Sequence, residues 1–252
     1  MTDLIEIDVS QHRELKIADG ASVAYAASQH LMNIRVTEID KATSCFPIFF
    51  TRNPHSGGWA ISAMTSFTPG SNLFVAEQQW DATYTPASVQ TYPLSLVRSQ
   101  SNPKGYAVAL DPESDAFSRK EGESLFEANG KASLHLARIS ALLESDARDE
   151  LLTRQFLQEM QDLGFIKPVN VVVRYKDGGI ETIKGLHTAD EDKLNAVGKE
   201  RLQDLCSRGY LVPIYAMLLS IYQLNGLIKR HNSSANNSAI DKIIVEVSRP
   251  VN

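Results

Sequence analysis

Apolar and polar positions follow two different rhythms along this chain. Up to about residue 125, short apolar runs are separated by turn residues. Leu4–Val9 alternates apolar and acidic positions, the period of a half-buried strand. Val23–Leu31 carries several alanines and suits a short helix. Thr37 is expected to cap a second one, because Glu38 and Asp40 fall in its first turn, where the helix dipole favours acids. Pro47 ends that helix, and Ile48-Phe49-Phe50 reads as a buried strand. Asn53-Pro54 and Gly57-Gly58 mark a connection to a second strand, Trp59–Phe67. Pro69-Gly70 makes the next turn, before a short strand at Asn72–Val75. Leu94–Arg98 and Tyr106–Leu110 are two more strands around a loop-like stretch. Turns at this spacing suit a curved antiparallel sheet.

Beyond residue 130 the apolar residues fall at helical intervals. Ser133–Leu163 is predicted helical, with a break near Asp146–Arg148 and a stop at Gly164. Val169–Tyr175 and Ile180–Gly185 flank Lys176-Asp177-Gly178-Gly179, a hairpin with an Asp-Gly turn. Asp190–Val197 and Glu200–Ser207 are short helices. Tyr210–Arg230 is a long apolar helix with Pro213 in its first turn, where proline is tolerated. It approaches the length of a bilayer span, but Ser220, Gln223 and Asn225 interrupt it, so a central buried helix is expected and no membrane span. His231–Ser238 is a polar linker, and Ile243–Val247 a last strand that pairs with the main sheet or with a partner's edge.

The expected fold class is therefore α+β: mostly antiparallel sheet in the N-terminal half, helices plus one β-hairpin in the C-terminal half. Residues 1–231 are expected to form one domain, sheet-rich over 1–125 and helix-rich over 126–231. Residues 232–252 form a polar linker and a strand-like tail.

Composition narrows the function classes. At 43% hydrophobic and 22% charged, the 252 residues have enough apolar side chain to offset chain entropy. The net charge of -5 argues against a dedicated nucleic-acid binder, which usually shows a basic face. Cys45 and Cys206 are too few for a disulfide framework, and each is expected as a small core residue. Asp3, Glu6 and Asp8 stand where a signal peptide needs basic residues followed by an apolar run, so a cytoplasmic location is expected.

No phosphate loop, dinucleotide fingerprint or nucleophile elbow occurs. His12, His30, His55, His135, His187 and His231 are scattered, and no metal or other cofactor is expected. His12-Arg13-Glu14 has the spacing of some iron sites, but its plainer reading is a polar turn. The chemically richest stretch is Asn72–Pro93. Trp80, Asp81, Tyr84 and Tyr92 bring an indole, a carboxylate and two phenols into 13 residues, a set that can hold a sugar or peptide by stacking and hydrogen bonds. Packed aromatics with Asp81 capping a turn is the competing account. Glu38 joins these as a candidate binding residue, against a plain helix-dipole role, and so does Asn72.

The same residues carry a family resemblance. Val36-Thr37-Glu38-Ile39, Phe46-Pro47-Ile48-Phe49-Phe50, Asn72-Leu73-Phe74, Trp80–Ala87, Tyr92-Pro93, Leu125-Phe126 before Asn129-Gly130, Thr153-Arg154-Gln155-Phe156, Gly185 with Asp190-Glu191, and Gly209-Tyr210-Leu211 follow one another in order. In this order and spacing the chain resembles the bacterial SapC family over about residues 6–230. Members often carry a basic pair before the Tyr-Pro, where this chain has Gln90-Thr91. The resemblance brings no established catalytic residues. It implies a non-catalytic accessory or regulatory protein near TonB-dependent nutrient uptake, binding a protein or peptide partner, with an oligomer open. The alternatives are an enzyme or enzyme subunit acting on a peptide or sugar, with Asp81, Tyr84, Tyr92 and Glu38 sharing a pocket, and a surface-layer component.

Overall fold

A computed structural model of the chain describes residues 4–53, 56–99, 105–234 and 238–248. His55 and Pro54 of the expected hairpin connection lie outside the described residues, as do positions 100–104, 235–237 and 249–252. The fold is α+β, and its centre is a six-stranded sheet that draws on both halves of the chain. In spatial order its strands are Ile240–Val247, Ile166–Tyr175, Ile180–Ala189, Ile48–Arg52, Trp59–Met64 and Leu31–Ile34, each antiparallel to the next. The strand-like tail is thus the edge strand of this sheet, paired along Ile166–Tyr175 from Val169 to Tyr175.

The predicted Asp-Gly hairpin is present and longer than its sequence signal. Tyr175 and Gly179 close the turn through a 2.9 Å backbone hydrogen bond. Gly178 sits at φ +94, a backbone conformation L side chains rarely adopt. The register skips between Val169 and Val171, with Gly185 at φ +82 on the facing strand, the mark of a β-bulge. Val169, Val171 and Val173 alternate into the core.

A second correction concerns the long helix. Leu134–Asp162 runs unbroken for 29 residues, capped by Ser133, whose Oγ accepts from Leu136 N–H. The expected break near Asp146–Arg148 does not occur. The apolar pattern lapses there because the helix passes from one core to another. Its first half places Leu136, Ile139 and Leu143 in a smaller core with Ile17, Leu94, Leu110 and Leu125. Its second half places Phe156, Leu157 and Met160 in the main core, with Phe46, Phe49, Phe50 and Val171. Between them, Asp146 and Glu150 face Arg35 instead of apolar neighbours.

The C-terminal helix is built as Leu211–Ser220, a tighter turn at Ile221–Gln223, and Leu224–Ser233. The expected polar linker therefore begins later than His231. Two of the polar residues that interrupt the apolar window, Ser220 and Gln223, are docking groups, and the third, Asn225, is exposed. Buried Ser220 Oγ accepts from Ile48 N–H at 2.9 Å and donates to the Met217 carbonyl. Gln223 Nε2 donates to the Thr43 carbonyl at 3.1 Å. The expectation of a wholly buried helix fails, however. Ile214, Met217, Leu224 and Leu227 are in the core, but Val212, Tyr215, Leu219 and Tyr222 are exposed. By length and composition, Leu211–Ser233 is long and apolar enough to cross a membrane.

Smaller corrections come from side chains that compete for backbone groups. The expected strand at Leu4–Val9 is reduced to Ile5–Glu6, because Asp8 accepts from Ser10 N–H and starts a short helix at Val9–His12. Thr37 is not the cap of its helix. The chain already turns at Val36–Glu38, where the Glu38 carboxylate reaches back to Arg35 N–H at 2.7 Å. Asn72–Phe74 is a turn rather than a strand, since Asn72 Oδ1 accepts from Phe74 N–H, and the strand follows at Val75–Ala76. Cys206 is exposed and Cys45 half-buried, so neither is a core residue.

Candidate functional site

The corner at Asn72–Pro93 is folded by its own turns and fixed from three sides. Val75–Ala76 pairs with Gln79–Trp80 across Glu77-Gln78, both left-handed at φ 50 and φ 61. A two-residue hairpin turn needs that geometry, and it is strained for residues other than Gly or Asn. The chain then passes Pro86 into a short helix, Ala87–Thr91.

The six residues expected to form a site have three different placements. Glu38 is 7% exposed, and both oxygens of its carboxylate accept hydrogen bonds from within the protein. One oxygen accepts from Arg35 N–H at 2.7 Å; the other accepts from the Tyr84 hydroxyl at 2.7 Å and from Ala87 N–H at 2.9 Å. Burial, and then the adjacent Glu38 carboxylate, pushes the Tyr84 phenol well above the usual tyrosine range. Arg35 carries the anchorage onward. Its guanidinium forks onto Asp146 with two 2.7 Å bonds and also reaches Glu150, while Val36 N–H donates to Thr153 Oγ1 at 2.9 Å. The corner is thereby tied to the middle of the long helix.

Asn72 is buried and wholly occupied, its Nδ2 donating to the Ala26 carbonyl at 2.9 Å and its Oδ1 accepting from Phe74 N–H. Asp81 is on another side. Its side chain is 65% exposed and pairs with Arg230 at 2.6 Å, so it is an inter-element clamp and not a turn cap. Arg230 also donates to the Asp81 and Leu73 carbonyls and lies 4.2 Å over the Phe74 ring.

Trp80, Tyr84 and Tyr92 do come together. They line a cleft of about 460 Å³ with Gln90, His135 and Arg138, between the corner, the Ala21–Ala27 helix and the start of the long helix. Trp80 is fixed by its indole N–H donating to the Tyr84 carbonyl at 3.1 Å. Tyr92 stacks on Tyr25, with centroids 4.2 Å apart and planes within 9°. Cys45 borders the corner, its Sγ 2.9 Å from Thr83 Oγ1. Burial raises that thiol, but hydrogen bonds from Ser44, Thr83 and Tyr84 outweigh it and draw the pKa below the usual value. Among the described residues no three His, Cys, Asp or Glu side chains gather as a metal site.

The sequence model of the SapC family matches residues 7–227. The chain belongs to the SapC family. No curated protein matches it, and no solved structure does. In this SapC chain the matched span takes in the whole corner, the long helix and the cleft between them. The tail strand Ile240–Val247 lies beyond the match yet completes the main sheet.

Several residues that line the cleft of this SapC protein, or support its lining, were invisible in the sequence pattern. Tyr25 is distant in sequence from the corner it stacks against. His135 and Arg138, three apart on the first turns of the long helix, face a segment more than 40 residues before them only through the fold. A second cleft of about 540 Å³ was likewise missed. It lies between Trp59–Met64 and the long helix, with Arg35, Arg52 and Arg154 in its walls and Arg52 stacked 3.6 Å over Trp59.

Proposed function

We propose that this SapC-family protein is a non-catalytic accessory protein that binds a protein or peptide partner through the Trp80–Tyr84–Tyr92 cleft. The observation that supports this reading is the division of labour within the corner. The two acids singled out as candidate binding groups are committed elsewhere, Glu38 to three internal donors and Asp81 to Arg230. A general base needs a free lone pair within reach of the proton it takes. What faces the cleft is aromatic surface fixed at both ends, together with the Gln90 amide, the His135 imidazole, the Arg138 guanidinium and the Asp19 and Glu123 carboxylates, which give a peptide both signs of charge to meet. Rigid aromatic surface with a few polar groups is the composition of a peptide-binding anchor. A role beside TonB-dependent uptake, which the resemblance implies, would suit such a binding protein and names no partner.

Selection of a displayed random peptide library on the intact protein tests this. Enriched peptides should lose affinity at least tenfold on Arg138→Glu, an exposed position whose change leaves the melting temperature in place. Peptides that bind Arg138→Glu and Gln90→Ala as well as the parent, or turnover of a selected peptide, would refute the reading.

A further inference from the structure

The C-terminal helix has two apolar faces. One, with Ile214, Met217 and Leu224, is in the main core. The other carries Val212, Tyr215, Leu219 and Tyr222, which are 64, 45, 63 and 73% exposed. Contiguous apolar surface of this size is as large as the largest patch on a typical monomer, which is often a site of contact. The steps between these residues are three, four and three, the spacing by which two helices share one seam. No charged residue stands between Tyr210 and Ile228, so the flanks of the seam are uncharged too.

The order of the side chains selects the occupant. Two copies running antiparallel, with the two-fold axis level with Met217, set Val212 against Tyr222 of the second copy and Tyr215 against its Leu219. Every ring then lies on an aliphatic side chain. A parallel pairing would instead stack tyrosine on tyrosine and leave valine facing valine. Charge points the same way. The chain carries a net charge of -5, so two copies repel over most of their surface and approach most easily along an uncharged stripe. At these exposures the four side chains present about 500 Å², against roughly 800 Å² per partner in a standard interface. Leu211, Leu218 and Ile221, half-buried against the main core, border the patch in sequence and leave it part of their surface.

We propose that the protein is a two-fold dimer in which the Leu211–Ser220 helices of two copies, each with the tighter turn Ile221–Gln223 that continues it, pack antiparallel along this seam. The proposal is independent of the peptide cleft, which lies on other elements. Sedimentation equilibrium of the full chain, up to about 100 µM, is the first test. The expected mass is twice 27.8 kDa, falling to the single-chain value in Leu219→Asp and in Tyr222→Lys with the far-ultraviolet spectrum unchanged. Orientation is read in a Cys45→Ser, Cys206→Ser background, since both native cysteines are free. A mixture of Val212→Cys and Tyr222→Cys chains should form a mixed disulfide. Tyr222→Cys alone should not cross-link, because the two copies of that position are about 15 Å apart along the axis. A single-chain mass at every concentration, a dimer unaffected by either seam variant, or self-linking of Tyr222→Cys would overturn it. Sedimentation with phosphatidylglycerol vesicles through these same residues, without a dimer in solution, would assign the face to a lipid surface instead and equally overturn it.

Discussion

Glu38 and Asp81 hold the same corner by opposite means. Glu38 is buried, with each of its two oxygens occupied by donors from the corner or from its own turn. Asp81 stands mostly in water and meets one guanidinium. In sequence the two look interchangeable, each an acid near a turn. Removal of a buried carboxylate strands its donors without water to replace it, whereas an exposed ion pair gains little over hydration. The strength of a carboxylate's hold is therefore set by its surroundings, and the two should separate sharply under mutation.

Glu38→Ala is expected to be the most damaging change, at about 3–5 kcal/mol, because it leaves the Tyr84 hydroxyl and the Arg35 and Ala87 amides unpaired in a closed site. Glu38→Gln should fall between the parent and Glu38→Ala, since its carbonyl can keep the Tyr84 and Ala87 donors while its NH2 faces Arg35 N–H. Urea midpoints at neutral pH measure both. A loss below about 1 kcal/mol for Glu38→Ala would erase the contrast with Asp81. Asn72→Ala should follow at about 2 kcal/mol by the same measurement, as it strands the Ala26 carbonyl and Phe74 N–H.

Tyr84 sharpens the comparison through pH. Its phenol is raised in the folded protein by burial and by Glu38, whereas an unfolded tyrosine ionises near 10. Above that value the unfolded chain loses protons that the folded chain keeps. The stability this hydroxyl contributes is thus fully present below about pH 10 and is lost as the pH rises toward the raised folded value. Tyr84→Phe should cost about 1 kcal/mol at pH 8 and show a shallower fall in melting temperature between pH 9 and 11 than the parent. Equal slopes would mean that Tyr84 ionises freely in the native state.

How much of this was legible in the sequence follows the range of the interactions. The strands at Ile48–Arg52 and Trp59–Met64 and the Asp-Gly hairpin were readable because alternation and turn chemistry are local. The break assigned to the long helix was not there, because a lapse in apolar pattern also arises where a helix crosses between two cores. Glu38 and Tyr84 were both singled out, but their bond spans 46 positions and no local pattern encodes it. His135 and Arg138 offered no signal, since only tertiary packing brings them to the cleft, and neither did Tyr25, which only the fold stacks on Tyr92. Asp81 was read as a candidate binding residue, with a turn cap as the competing account, and neither anticipates its ion pair, because its partner, Arg230, is 149 positions away.

Asp81→Asn should have the smallest effect of the series, at about 0.5 kcal/mol. The pair is exposed, and ordering two side chains offsets most of its Coulombic gain. Arg230 has further holds that the substitution leaves intact: its place over Phe74 and its bonds to the Leu73 and Asp81 carbonyls. Arg230→Ala should therefore cost more than Asp81→Asn, by about 1 kcal/mol, through lost packing and hydrogen bonds rather than lost charge. Salt separates the two components. Near 1 M sodium chloride the screening length falls to about 3 Å, and the gap between the parent and Asp81→Asn should close. The gap to Arg230→Ala should persist, because stacking and carbonyl bonds are weakly screened. A cost above about 2 kcal/mol for Asp81→Asn, unchanged by salt, would place Asp81 with Glu38 as a buried anchor and end the distinction between them.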